Sequence, residues 1–61
     1  MELTEAKEML TKHIEQFNIY DLERLKACFQ YEYRIHPEKE ACIREILDTI
    51  SAEIEKRNSG G

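Results

Sequence analysis

Four side chains of this 61-residue sequence could supply the nitrogen and sulfur ligands of a zinc ion, and they belong to His13, Cys28, His36 and Cys42. Zinc prefers thiolates and imidazoles, but small zinc sites usually contain a Cys-x-x-Cys pair, and each cysteine here stands alone. The two cysteines lie on either side of Pro37, so a disulfide across a hairpin is an alternative use. We predict no metal and no cofactor, with both thiols reduced and packed as small apolar side chains.

The remaining polar residues do not favour catalytic chemistry. Asp and Glu number 13, yet acid–base catalysis needs two carboxyl groups held in a cleft with separated pKa values. Three short helices rarely form such a cleft. Both glycines stand at the end of the sequence, so it contains no glycine-rich phosphate loop. We therefore predict that the chain has no catalytic residues and is not an enzyme.

Length and charge narrow the remaining classes of function. The formal net charge of −4 argues against a general nucleic-acid binder, whose affinity comes from lysines and arginines on phosphates. No segment approaches the roughly 18 to 20 apolar residues of a membrane span, and Met1 leads into Glu2 without the apolar core of a signal peptide. We expect a cytoplasmic protein with no membrane partner.

Three helices follow from the periodicity of the apolar residues. Helix one is predicted from Thr4, its N-cap, to Gln16, with one apolar face made of Leu3, Ala6, Leu10, Ile14 and Phe17. Asn18 can cap helix two, with Phe17 and Leu22 placed for a hydrophobic staple. The connection is so short that a single kinked helix is the alternative to two separate ones.

Pro37 predicts the second break, since it disfavours helical conformation at His36 and suits the first turn of a helix. Helix three is expected from Pro37 to Arg57, with a single apolar stripe of Ile43, Ile46, Leu47, Ile50 and Ile54. The spacing of four residues supports ion pairs of Glu40 with Arg44 and of Glu53 with Arg57. We expect one helical domain over residues 1–57 and a flexible C-terminal tail over residues 58–61.

Helix two, from about Ile19 to Ile35, has apolar side chains on two opposite sides. At about 100° per residue, one side carries Leu22, Leu25, Phe29 and Tyr33. The second side, which we call the contact strip, consists of Tyr20, Arg24, Ala27, Tyr31 and Ile35. Helices one and three can together cover the first side. The contact strip then needs another neighbour, and its tyrosines and arginine are typical of the centres of protein interfaces. The alternative is a small bundle whose tyrosines lie flat on its surface with their hydroxyls in water.

These patterns predict an all-α fold, either a small three-helix bundle or a helical hairpin with a short lead helix, and we expect it to be dimeric. The size, acidity and helicity of this chain are like those of small bacterial or phage regulators that dock on a larger protein. This is a general analogy and assigns no role to any residue. We expect self-association and a protein partner at the contact strip. The alternative is a structural or assembly subunit in which helix three forms a coiled coil.

A nucleic-acid-binding protein is a third interpretation, which the charges of helix three oppose. A recognition helix needs a basic or amide-rich outer face. Between Glu38 and Arg57 the sequence has four cations, at positions 39, 44, 56 and 57, and six anions, at positions 38, 40, 45, 48, 53 and 55. The net charge of −2 would repel the phosphate backbone.

Overall fold

The computed structural model describes residues 3–60 as three α-helices in chain order. They are α1, Leu3–His13; α2, Ile19–Ile35; and α3, Glu40–Gly60, with 3₁₀ turns at Ile14–Gln16 and Pro37–Lys39. The predicted all-α class and the three helices are confirmed, and residues 3–60 contain no strand. Residues 1 and 2 of the predicted domain and residue 61 of the predicted tail lie outside the described range. Dimerisation stays a prediction.

The first corner separates α1 from α2 and excludes a single kinked helix. Phe17 has extended backbone angles, φ −80° and ψ 136°, and Asn18 caps α2 by accepting a 2.8 Å hydrogen bond from the Asp21 backbone N–H. The cap on Asn18 is confirmed. The cap on Thr4 is wrong, because α1 already includes Leu3 and Thr4 therefore lacks the extended conformation of an N-cap.

The second corner contains Pro37, as predicted, but the α-helix after it starts later than expected. His36 is outside the helical region at φ −132° and ψ 68°. The Lys39 N–H donates to the His36 carbonyl at 3.0 Å, which closes a 3₁₀ turn before α3 begins at Glu40. Within this turn, hydrogen bonds from its own backbone N–H and then from the His36 ring lower the pKa of the Glu38 carboxyl.

The end of α3 also differs from the prediction. The helix continues to Gly60, three residues beyond the expected end at Arg57. Asn58 and Ser59 are polar but can adopt helical angles, and no proline or internal glycine stops the helix before Gly60. Residues 58–60 of the predicted tail are therefore helical, and the mobility of the tail stays a prediction.

The core lies mainly between α2 and α3. Leu22, Ile46 and Ile50 are fully buried in one cluster, which α1 completes through Leu10, and Ile43 is fully buried as well. We expected α1 and α3 to share the covering of α2. That expectation is wrong in part, because α1 packs mainly against α3. The half-buried residues around the cluster are Leu3, Ile14, Phe17, Leu25, Phe29, Cys42 and Ile54.

Polar contacts fix α1 on α3 at both of its ends. Near the start, the Lys7 ammonium lies 2.7 Å from Glu45 Oε2, and this hydrogen bond raises the pKa of Lys7 above its usual value. At the other end, the Arg57 guanidinium donates to the Ile14 carbonyl at 2.9 Å while it also binds Glu53. The Ile14 carbonyl also accepts the Phe17 N–H at 3.3 Å, so Arg57 is its second donor and ties the turn after α1 to α3.

Both ion pairs predicted on helix three are present. Arg44 lies 2.7 Å from Glu40 and Arg57 lies 2.9 Å from Glu53. The Arg44 pair is exposed and contributes little, whereas the Glu53 pair is partly covered and positions Arg57. None of the helices in residues 3–60 combines the length and the apolar composition that crossing a membrane requires.

Changing Ile50 to Asp should unfold the monomer. A domain of this size has a free energy of unfolding of about 3–9 kcal/mol, and a buried, unpaired carboxylate costs about 3–5 kcal/mol. We expect a melting temperature lower by about 15 °C or more, measured by circular dichroism. Ala52→Asp is the control, because Ala52 is exposed on the same helix. Equal melting temperatures for the two variants would contradict the burial of Ile50.

Changing Asn18 to Ala should remove the cap of α2. The loss of the side-chain acceptor for the Asp21 N–H is expected to lower the free energy of unfolding by about 1 kcal/mol. Urea titration at several protein concentrations measures this change in the free energy of unfolding. Asn58→Ala is the matched control, since Asn58 lies exposed in the last turn of α3, and we expect it to be neutral. A neutral Asn18→Ala variant would show that the cap does not stabilise the corner.

Candidate protein-contact surface

The contact strip lies on the solvent side of α2. Tyr20 is 74% exposed, Tyr31 63% and Ile35 48%. Arg24 and Ala27 are also exposed, so all five residues of the strip are accessible in the single chain. Three large apolar side chains on one face of one helix form a surface that water solvates poorly.

The opposite side of α2 explains this orientation. Leu22 is fully buried against α3, and Leu25 and Phe29 are half-buried on the same core. Because these residues lie about half a turn from the strip, their burial turns Tyr20 and Tyr31 to the solvent. The two sides that the sequence predicts for helix two are therefore the covered and the exposed side of α2.

Tyr33 has a different environment from the other two tyrosines. It is half-buried, and its hydroxyl donates a 2.9 Å hydrogen bond to Glu40 Oε1 at the start of α3. Arg44 donates to the same carboxylate oxygen at 2.7 Å. Tyr33 thus connects the end of α2 to α3 and fixes the rotation of α2 about its axis, on which the direction of the contact strip depends.

A groove that the sequence analysis missed lies between α1 and α2. This apolar groove has a volume of about 540 Å³ and is lined mainly by Ala6, Met9, Leu10, Leu25 and Phe29. It exists because α1 packs mainly on α3 and leaves a gap toward α2. The one signal in the sequence is Met9, an apolar residue beside the predicted stripe of α1, which is 55% exposed.

The groove region extends to the contact strip. Toward the start of α1, a second depression of about 660 Å³ is lined by Leu3 and Ala6 on one side and by Ala27, Cys28 and Tyr31 on the other. Ala27 and Tyr31 therefore belong to the contact strip and to this depression. The apolar surface of α2 is wider than the five predicted residues.

Charged side chains border the strip on both edges. Glu23 and Arg34 are exposed and lie on one edge of α2, while the half-buried Glu32 lies on the other. The His36 ring lies 4.0 Å from Glu32. Although the whole chain is acidic, the strip itself includes Arg24 and is bordered by both signs of charge, which favours a partner with alternating charges.

The four candidate metal ligands are separated in the structure. Cys28 is exposed on α2 and Cys42 is half-buried against the core on α3, and both are free thiols. The prediction that both are packed is wrong for Cys28, because its position on α2 lies next to the contact strip. His13 lines the apolar groove and His36 bonds to Glu38. In the part of the chain that is described, no three His, Cys, Asp or Glu side chains form a group that could hold a metal ion.

Comparisons with known proteins identify no relative of this chain. No protein-family model matches it, and neither the curated proteins nor the solved structures contain a match.

Changing Tyr33 to Phe should weaken the junction of α2 and α3. The lost hydroxyl donor to Glu40 is expected to lower the free energy of unfolding by about 1 kcal/mol, because the contact is partly shielded from water. Tyr20→Phe is the control, since the Tyr20 side chain is mostly exposed, and its effect should stay within about 0.5 kcal/mol. Chemical denaturation at low protein concentration measures both. Equal effects would show that the Tyr33 hydroxyl does not hold α2 in place.

Proposed function

We propose that this chain is a small helical protein-interaction module and that the contact strip is its binding surface. The observation that carries the proposal is the exposure of Tyr20, Tyr31 and Ile35 on the side of α2 opposite the core. Removing such a row of side chains from water favours association. The function is non-enzymatic binding, in which the chain acts as a regulator that docks on a protein partner.

The chemistry of the strip fits protein recognition. Tyrosines give large contact areas at a low cost in side-chain entropy, and arginine can bind both rings and carboxylates. Ala27, at the middle of the strip, allows the backbone of a second helix to approach closely. The two free cysteines fit a reducing compartment, and we place this activity in the cytoplasm.

The alternative, an assembly subunit with α3 in a coiled coil, has less support. That interpretation requires Ile43, Ile50 and the rest of the stripe to contact another chain. Ile43 and Ile50 are fully buried by this chain itself, and Ile46 contributes to the same core. A coiled coil through α3 would therefore first have to displace α1 and α2.

Nucleic-acid binding is also disfavoured by the exposed side chains of α3. The outer surface of α3 presents Glu45, Asp48 and Glu55 beside Arg44 and Lys56. Carboxylates at this density repel phosphates, so binding through α3 would have to overcome an unfavourable charge.

Changing Tyr31 to Glu tests the proposed function. A carboxylate in the centre of the strip should weaken self-association or partner binding about thirtyfold, the effect of losing an interface residue worth about 2 kcal/mol. Helicity should be retained, because Tyr31 is exposed. Sedimentation, affinity capture from the source cell and circular dichroism measure these three properties.

Thr11→Glu is the matched control for this test. It adds the same charge at an exposed position of α1 outside the strip, and it should change neither sedimentation nor capture. If Tyr31→Glu behaves like Thr11→Glu in both measurements, the contact strip is not a binding surface and the proposal is wrong.

A further inference from the structure

We propose that the partner at the contact strip is a second copy of this chain, bound so that the two α2 helices are antiparallel. The twofold axis would pass between Ala27 and Cys28. This inference rests on the proposed function, since it names the partner of the same surface. Three independent properties of the strip support it: the order of its residues, its side-chain chemistry and its bordering charges.

The positions of the strip residues, taken together with the adjacent Cys28, are symmetric about one point on α2. Counted along α2, a single midpoint lies between each of three pairs, which are Tyr20 with Ile35, Arg24 with Tyr31, and Ala27 with Cys28. A twofold axis at this midpoint, perpendicular to the plane of two antiparallel helices, places each residue at the level of its pair in the second copy. Twofold interfaces require this self-complementarity, because residue i contacts j while j contacts i.

The chemistry of each pair is also complementary. At the ends, the Tyr20 ring would pack on the Ile35 side chain of the second copy. Next to them, the Arg24 guanidinium would lie over the Tyr31 ring, a favourable cation–π contact. At the centre, the small side chains of Ala27 and Cys28 would let the helices approach to about 8 Å, the close limit for packed helices.

The charged residues on and beside the strip are complementary in the antiparallel pair. In the antiparallel pair, Glu23 of one copy and Arg34 of the second copy lie on the same edge. Their levels along the helix axis differ by two residues, or about 3 Å. On the other edge, Arg24 is level to within about 1.5 Å with Glu32 of the second copy. A parallel pair in register would instead place Arg24 beside Arg24 of the second copy, close to the twofold axis. The repulsion between the two Arg24 side chains therefore disfavours the parallel arrangement, whereas both edges of the antiparallel pair carry opposite charges.

The size of the strip sets the expected affinity. α2 has 17 residues and is about 25 Å long, so one face of it buries less than the roughly 800 Å² per partner of standard stable interfaces. We expect a dimer that dissociates in the micromolar range. Its melting temperature should then rise with protein concentration, because dimerisation stabilises the folded state.

Crosslinking at Cys28 tests whether the strips face each other. In the Cys42→Ser variant, Cys28 is the remaining thiol, and the twofold axis would bring the two copies of Cys28 to within about 1.5 Å of the same level. A short bismaleimide should give a covalent dimer at tens of micromolar protein. The dimer should be lost when Tyr31→Glu is added, which leaves the thiol exposed but breaks the interface.

A cysteine elsewhere controls for random collision. Ala52→Cys in a chain lacking both natural cysteines presents an exposed thiol on α3, away from α2, and should give little crosslinked dimer. Equal crosslinking from positions 28 and 52, or none from Cys28, would overturn the inference.

Charge reversal tests the antiparallel register. Arg34→Glu should place two carboxylates together at each edge contact and weaken the dimer about tenfold, and Glu23→Arg should do the same with two cations. The double variant restores opposite charges and the original net charge, and its dissociation constant should return to the wild-type value. Because positions 23 and 34 are about 16 Å apart along α2, the rescue cannot come from within one chain. A double variant as weak as the single ones would overturn the antiparallel register.

Failure of this inference can be separated from failure of the proposed function. A wild-type chain that sediments as a monomer at about 100 µM, with no Cys28 crosslink, overturns the second copy as the partner. If Tyr31→Glu still abolishes capture of another protein in that case, the contact strip remains a binding surface. If Tyr31→Glu changes neither association nor capture, both proposals are wrong.

Discussion

The pairing of α2 with α3 is the interaction on which the rest of the structure depends. Leu22, Ile46 and Ile50 of this pair are fully buried in the folded chain, and α1 adds Leu10 to the same cluster, with Leu3 packed against it. Burying each such side chain stabilises a fold by about 1.5–3 kcal/mol, which is a large share of the stability of a chain this small. The pairing also determines which side of α2 is covered, and the contact strip is the side that remains.

The sequence predicts what depends on local rules and on periodicity. Asn18 caps α2 and Pro37 stops it from continuing because side-chain hydrogen bonding and ring geometry act within a few residues. The two sides of α2 were predictable for a related reason, since residues about 100° apart have fixed relative directions. Leu22 and Tyr31 therefore lie on the covered and the exposed side as the pattern indicates.

Tertiary packing determined the features that could not be predicted from the sequence. The apolar stripe of α1 fits either neighbour, and its docking on α3, fixed by Lys7 with Glu45, opens the apolar groove. The exposure of Cys28 follows from the rotation of α2, to which the Tyr33 contact with Glu40 contributes. Helix ends were also misplaced at Thr4 and Arg57, since several residues there can be helical without a strong signal to stop.

The unequal anchoring of the three helices has a consequence for how the chain folds. α2 and α3 are neighbours in sequence and are joined by the short turn at Pro37–Lys39, so forming their hairpin closes a small loop at little entropic cost. α1 docks on α3, the more distant helix in the chain, through Leu10 and two hydrogen bonds, which join Lys7 to Glu45 and Arg57 to Ile14. The hairpin is thus expected to form first, and α1 to be the last helix to dock and the first to detach, with its amide hydrogens exchanging fastest.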